Sequence, residues 1–183
     1  SFPTRRSSDL TWRQIQSRLT VPNHNLVALT KGSLTIGNMV VEPFRVSHDA
    51  ADPIGINVFV GDQKVTVLTD SGEVDDRMLR YLDDTTMLVL EANYDPHMLK
   101  FGSYDRFLKE RVAGPQGHLS NDATAQALLM MKRPNFMQVI LAHRSENNNN
   151  PVLVTQTIGN MLVQGGVRIG PEMKLQHGQP NEC

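Results

Sequence analysis

Phe44-Arg45-Val46-Ser47-His48-Asp49-Ala50-Ala51-Asp52-Pro53 is the stretch that decides the fold. An apolar run of the kind that forms a buried strand, residues 39–46, stops at a histidine, two acids and a proline, and a second apolar run begins at Ile54. A side chain at the end of a sheet strand is held by the ladder behind it while its head faces the loops, which suits a metal ligand or a proton carrier. Two later runs end alike: residues 65–69 deliver Asp70, and residues 137–142 deliver His143.

Outward from that stretch, Lys31-Gly32 and Gly37-Asn38 are hairpin-type turn signals separating strand-like runs at 26–29, 33–36 and 39–46. Residues 54–60 and 64–69 make another hairpin across Gly61-Asp62. The period then becomes helical at 75–82, with acids near the start where the helix dipole favours them. A short apolar strand at 86–90 runs into the polar cluster Glu91-Ala92-Asn93-Tyr94-Asp95, and 96–112 reads as a helix pair broken at Gly102. A loop at 114–120 leads to a helix at 122–132 capped by Ser120 or Asn121, then a strand at 136–142. Beyond a polar Asn loop, a helix runs from Pro151 to about Gln164, and the segment after Gly170 is expected to be loose. A further short helix is expected at 11–18. Strands in pairs, then strand and helix in alternation, describe a layered α/β domain with more than one type of sheet connection.

At 183 residues with a net charge of −1, the chain is one domain or part of one and lacks the strong positive charge of a general nucleic-acid binder. Its single Cys, at position 183, rules out an intramolecular disulfide framework or a Cys-rich zinc module and points to a reducing, cytoplasmic setting. No apolar run approaches the roughly 20 residues of a membrane helix. Residues 1–10 lack any apolar period and resemble the translation of a common short-read sequencing adapter; they are expected to be a tail with no part in the fold. The domain is expected over 11–170, with 171–183 flexible.

Taken singly, each strand-end residue has a structural explanation: a His at a strand end can be a hydrogen-bonded structural residue, and an Asp before Ser71-Gly72 a turn former. His24, His97 and His177 lie in polar surroundings and read as exposed, and Asp75 and Asp76 as helix starters. Together, neutral imidazoles and a carboxylate without Cys form a ligand set suited to Zn, Mn or Fe.

The order of these groups is also familiar. His48 within Val46-Ser47-His48-Asp49-Ala50, Asp70 within Leu68-Thr69-Asp70-Ser71-Gly72, Asn93-Tyr94-Asp95, Gly117-His118-Leu119-Ser120-Asn121, and Ala142-His143-Arg144-Ser145 with the Asn run behind it resemble the later motifs of metallo-β-lactamase-fold hydrolases, most closely the WalJ/YycJ branch. The resemblance implies a partial αββα sandwich and a dinuclear site whose two divalent ions activate a water that attacks a phosphodiester. It implies that His48 would be a ligand of the first metal, Asp70 the carboxylate bridging both, and His143 a ligand of the second. Asp49, Asn93, Asp95 and Asn121 would orient the ligands. His118 is either an active-site group near the scissile phosphate or a helix-entry residue paired with Asn121. Arg144 stands where an apolar residue is expected, and strand alternation would turn it away from His143.

The His-x-His-x-Asp-His motif that supplies the family's remaining ligands does not occur in this sequence. In the family it lies upstream, by a few tens of residues, of the helix that Thr11-Trp12 resembles, so the chain is expected to be a fragment that binds metal weakly or not at all and turns over little alone. Its full-length form is expected to act on DNA or another phosphodiester. Hydrolysis of small esters, thioesters or lactones on the same fold, and a non-catalytic α/β module, are the alternatives. An uncovered sheet would favour self-association.

Overall fold

The computed structural model describes Leu29 and residues 32–178. The expected helix at 11–18, nearly all of the strand at 26–29, and the adapter-like segment lie outside the described residues. Among the described residues, seven strands form one sheet in sequential order: β1 (Leu34–Ile36), β2 (Met39–Arg45), β3 (Ile54–Val60), β4 (Gln63–Leu68), β5 (Met87–Glu91), β6 (Met137–Ala142) and β7 (Met173–His177). β1 to β4 form an antiparallel meander, with tight turns joining β1 to β2 and β3 to β4 and the loop 46–53 joining β2 to β3, and β4 to β7 are parallel. Parallel neighbours need crossover connections, and helices supply them. These are α1 (Asp76–Leu82) before β5, then α2 (Pro96–Phe101), α3 (Arg106–Val112) and α4 (Asn121–Met130) before β6, and α5 (Pro151–Gln164) before β7.

The helix starts are chemically marked. Asp75, Asp95, Asp105, Ser120 and Asn150 each accept a backbone N–H of the first helical turn through the side chain. Such a cap contributes about 1 kcal/mol. One sheet face packs under the helices: Leu68, Leu88, Leu90, Val139 and Leu141 form a core with Leu82 of α1, Leu128 of α4 and Ile158 of α5. Each fully buried Leu or Ile contributes roughly 1.5–3 kcal/mol. Cross-strand partners share a face, so the register Ile56↔Val67↔Val89↔Ile140 places an apolar, half-buried row on the opposite face.

The segment after Gly170 differs from expectation. Residues 173–177 are a strand, because fully buried Met173 and half-buried Leu175 alternate with exposed Lys174 and Gln176, and β7 extends the parallel ladder from β6. A five-residue strand with only two apolar anchors is too short for its alternation to stand out in a polar sequence.

Candidate metal centre

Sheet direction gathers the site. β2, β4, β5 and β6 all run the same way, because β2 and β4 are each antiparallel to β3 and the rest are parallel. Their carboxyl ends therefore share one edge, the edge on which open α/β sheets place ligands. His48 follows β2, Asp70 follows β4, Glu91 closes β5, and His143 is the first residue past β6. His118 joins them from the loop between α3 and α4. Its backbone N–H donates to the Val112 carbonyl at 2.9 Å, and its neighbour Leu119 is fully buried.

Asp70 and His143 hold left-handed backbone conformations, with φ of 56° and 51°. For a residue with a Cβ this costs on the order of 1–2 kcal/mol. Here it lets each strand end turn abruptly out of the sheet, so that both side chains line the same cleft.

Glu91 is completely buried, and its Oε1 lies 2.7 Å from Nδ1 of both His118 and His143. Its Oε2 accepts the Ser71 N–H at 3.0 Å. Burial pushes the Glu91 carboxyl up, but hydrogen bonds from His118, His143 and Ser71 outweigh it and hold the group below its ordinary value. An ionised carboxylate only accepts, so both Nδ1 atoms carry protons, which in the neutral form of each ring leaves Nε2 as the lone-pair nitrogen. The Glu91 bond raises the pKa of His143 against the opposing effect of burial.

Two groups compete for Nδ1 of His48. The Ala50 N–H donates to it at 3.0 Å, and Asp49 Oδ1 stands 3.2 Å away. When Nδ1 carries the proton and donates it to Asp49, the His48 Nε2 lone pair is available to an ion. Arg111 Nε donates to the other Asp49 oxygen at 2.6 Å, and this bond holds the Asp49 carboxyl below the usual range.

Distances separate hydrogen bonds from ligand spacings. Two donors about 2.0–2.1 Å from one ion at a tetrahedral angle stand roughly 3.3 Å apart, so the 2.7 Å Glu91 contacts are hydrogen bonds. Asp70 Oδ1 is 3.8 Å from His48 Nε2 and 3.6 Å from His143 Nε2. These separations are too long for hydrogen bonds and suit donors that share an ion. His118 groups with His48 and Asp70 closely enough to join such a set. The donors face a cleft of about 510 Å³ whose walls include Tyr104, Leu108, Arg111, Arg144 and Asn147.

No family model matches the chain. Over 147 residues it is 34% identical to the exodeoxyribonuclease WalJ of Streptococcus pneumoniae, an alignment covering 80% of this chain and 55% of that protein. The exodeoxyribonuclease YycJ of Bacillus anthracis is 28% identical over 176 residues, covering 95% of this chain and 67% of that protein. Among solved structures, the metallo-β-lactamase-fold protein YhfI of Bacillus subtilis superposes with a TM-score of 0.64 at 12% identity, covering 95% of this chain and 61% of that one. A diphosphatase of the PhnP family superposes at 0.56 with 12% identity, covering 94% and 54%. The chain has the metallo-β-lactamase fold and is similar in sequence to WalJ and YycJ. It spans about half the length of the WalJ relative and two thirds of the YycJ relative.

On this WalJ/YycJ-like framework the expected residues divide. His48, Asp70, His118 and His143 converge on the cleft, and Asp49 lies against the His48 ring. The other three expected to orient imidazoles bond elsewhere. Asn93 lines the cleft, but its Nδ2 donates to the His143 carbonyl at 2.8 Å, so it fixes backbone. Asp95 caps α2 by accepting the Met98 N–H at 2.8 Å. Asn121 forms a buried reciprocal amide pair with Asn149, at 3.1 and 2.8 Å. The group that orients His118 and His143 is Glu91, placed by the sequence reading one residue beyond its strand. Its signal was an acid at the end of an otherwise apolar strand. Arg144 is also corrected: the left-handed turn at His143 breaks the alternation, and Arg144 lines the cleft beside it. His97 is exposed as expected, but His177 is half-buried and bonded to Thr155.

Proposed function

We propose that the chain carries part of a dinuclear metal site of a phosphodiesterase or nuclease, with DNA as the substrate class. The observation carrying this reading is the pair of imidazoles tied to one buried carboxylate oxygen beside Asp70 at a row of aligned strand ends. His48, Asp70 and His143 would hold the metal, Asp70 being the anionic oxygen donor able to bridge two ions. The relatives WalJ and YycJ, both exodeoxyribonucleases, support the substrate class. A divalent ion is supported by Zn(2+)-bound PqqB of Methylobacterium extorquens, whose fold this chain shares at a TM-score of 0.53, and Zn, Mn and Fe are all compatible with the donors. When bound, such an ion supplies Lewis acidity to a phosphoryl oxygen and lowers the pKa of a water.

The residues of the chain supply the rest. Glu91 fixes the His118 tautomer, so that Nε2 can take up or return a proton at the cleft. Asp49 and Arg111 orient His48 in the same manner. With no His-x-His-x-Asp-His stretch, the chain falls short of two complete coordination spheres, and we expect weak metal binding and little turnover from it alone. The single cysteine favours a reducing compartment such as the cytoplasm, and the row through Val67 and Val89 would support self-association. Among the described residues no helix is long and apolar enough to cross a membrane.

The test joins the chain to a segment bearing the missing motif and compares oligonucleotides and bis(p-nitrophenyl) phosphate with lactones and thioesters. Metal-dependent phosphodiester cleavage that falls in a His118→Ala variant is expected. Preference for lactones or thioesters would overturn the reading, and robust cleavage by the unextended chain would overturn the incomplete-site part of it.

A further inference from the structure

Helix α3 buries none of its residues, although three of its seven are Phe107, Leu108 and Val112. Phe107 is 78% exposed, and Phe101, at the end of α2, is 67% exposed. Single exposed apolar residues are ordinary. These two bracket Tyr104, a cleft residue whose hydroxyl accepts the Asn147 amide at 3.3 Å. Phe107 also lies one helical turn from Arg111, another cleft residue, so ring surface runs from the cleft onto the α2–α3 rim.

Cations are interleaved with the rings. Residues 97–112 hold four Lys and Arg against two acids in a chain of net charge −1. Both acids are occupied: Asp105 caps α3, and Glu110 accepts from Arg106 at 2.7 Å. Lys100 Nζ sits 5.3 Å from the centre of the Phe101 ring, and Lys109 Nζ donates to the Lys100 carbonyl at 3.0 Å. Neither lysine has an acidic partner among the described residues.

We propose that the α2–α3 rim is a stacking platform for a single strand of nucleic acid leaving the cleft, with bases on Phe101, Tyr104 and Phe107 and backbone phosphates near Lys100 and Lys109. The proposal rests on the phosphodiesterase reading for its substrate class. Exposed aromatic faces alternating with cations form the surface that binds unpaired bases, whose π-faces are free only outside a duplex. Continuity with a polar cleft holding three imidazoles favours a strand over a lipid surface, which would have no use for that path.

The experiment measures fluorescence anisotropy of labelled oligo(dT), and of an abasic phosphodiester strand of equal length, with the 183-residue chain in EDTA, where no turnover is needed. Phe101→Ala/Phe107→Ala alters exposed side chains, and an unchanged urea midpoint confirms the fold. The double variant is expected to lose roughly tenfold or more in affinity for oligo(dT) and little for the abasic strand. Lys100→Gln/Lys109→Gln is expected to weaken both strands and to reduce the salt slope by roughly one. Equal wild-type affinity for the two strands, no binding at low salt, equal competition by duplex, or Phe107-dependent capture by anionic phospholipid vesicles instead of oligonucleotide would each overturn the platform. Strand binding without phosphodiester cleavage by the motif-restored protein would remove the hydrolase reading and leave the platform standing. Cleavage without base-dependent binding would do the reverse.

Discussion

Glu91 Oε1 lies 2.7 Å from His143 Nδ1, and through that same oxygen His143 is tied to His118, also at 2.7 Å. One fully buried acid thus sets the tautomer of two rings on different elements. Glu91→Gln keeps the shape but removes the charge, and it gives the Ser71 N–H or one imidazole N–H a donor to face. A lost hydrogen bond to a buried charged group costs about 1.5–3 kcal/mol, so urea denaturation is expected to show a loss of about that size. Divalent-ion affinity should fall roughly 10- to 100-fold, read by competition with a chromogenic chelator. Unchanged affinity in a destabilised variant would mean that Glu91 is structural only.

Glu91 also marks the limit of what the sequence discloses. The strand-end pattern brought His48, Asp70 and His143 together correctly because strand direction and register follow from apolar runs and turn residues. Glu91 has the same position, but with Asn93 and Asp95 close behind it, it reads as the first residue of a polar loop cluster. Asn149 and Asn150 were hidden differently. Within four consecutive Asn residues nothing distinguishes the one that pairs with Asn121 in the interior from the one that caps α5 by accepting the Leu153 N–H. Those roles are set by residues 28 and 3 positions away, and only packing selects them.

Gly117 and Gly159 should respond oppositely to a methyl group. A Cβ on Gly117 would collide with the backbone carbonyls of Arg111 and Val112, which cannot move without displacing the C-terminus of α3 and, with it, His118. Gly117→Ala is therefore expected to destabilise by about 1–3 kcal/mol. Gly159 sits inside α5, where the nearest atom to an added Cβ is a methyl of Ile169 at an ordinary 3.7 Å. Gly159→Ala should stabilise by about 0.5–1 kcal/mol through helix propensity. Urea midpoints moving the same way in both variants would contradict this packing.

His177 predicts a pH effect. The Thr155 hydroxyl donates to the Pro151 carbonyl at 2.9 Å, so at 2.7 Å it accepts from His177 Nε2 and leaves Nδ1 as the bare nitrogen. Burial first, and the charge of Arg144 second, lower the His177 pKa in the folded chain. Between the lowered folded value and the ordinary value near 6.5, the unfolded chain binds more protons. This residue therefore weakens folding as pH falls through about 6.5 and contributes nothing above it. His177→Gln should lessen the loss of urea stability between pH 8 and pH 5; an equal loss in both proteins would exclude this role.

Asp70 separates stability from ion binding. Its φ of 56° is a conformation that Asn tolerates as readily as Asp, and its carboxylate is about half exposed, so Asp70→Asn should change metal-free stability by no more than about 0.5 kcal/mol. The carboxylate faces His48 Nε2 and His143 Nε2 without bonding to either, so its charge matters chiefly to a cation placed among them. An ion that binds only the folded chain raises the thermal midpoint with concentration. Added Zn²⁺ or Mn²⁺ is expected to raise it modestly in the wild-type chain and not at all in Asp70→Asn. Asp84→Asn is the control: Asp84 shares the φ of 56° but pairs with Lys132 away from the cleft, and its variant should keep the wild-type response. A metal-induced shift in Asp70→Asn equal to that of the wild type would place the ion elsewhere and leave the strand-end carboxylate a turn residue.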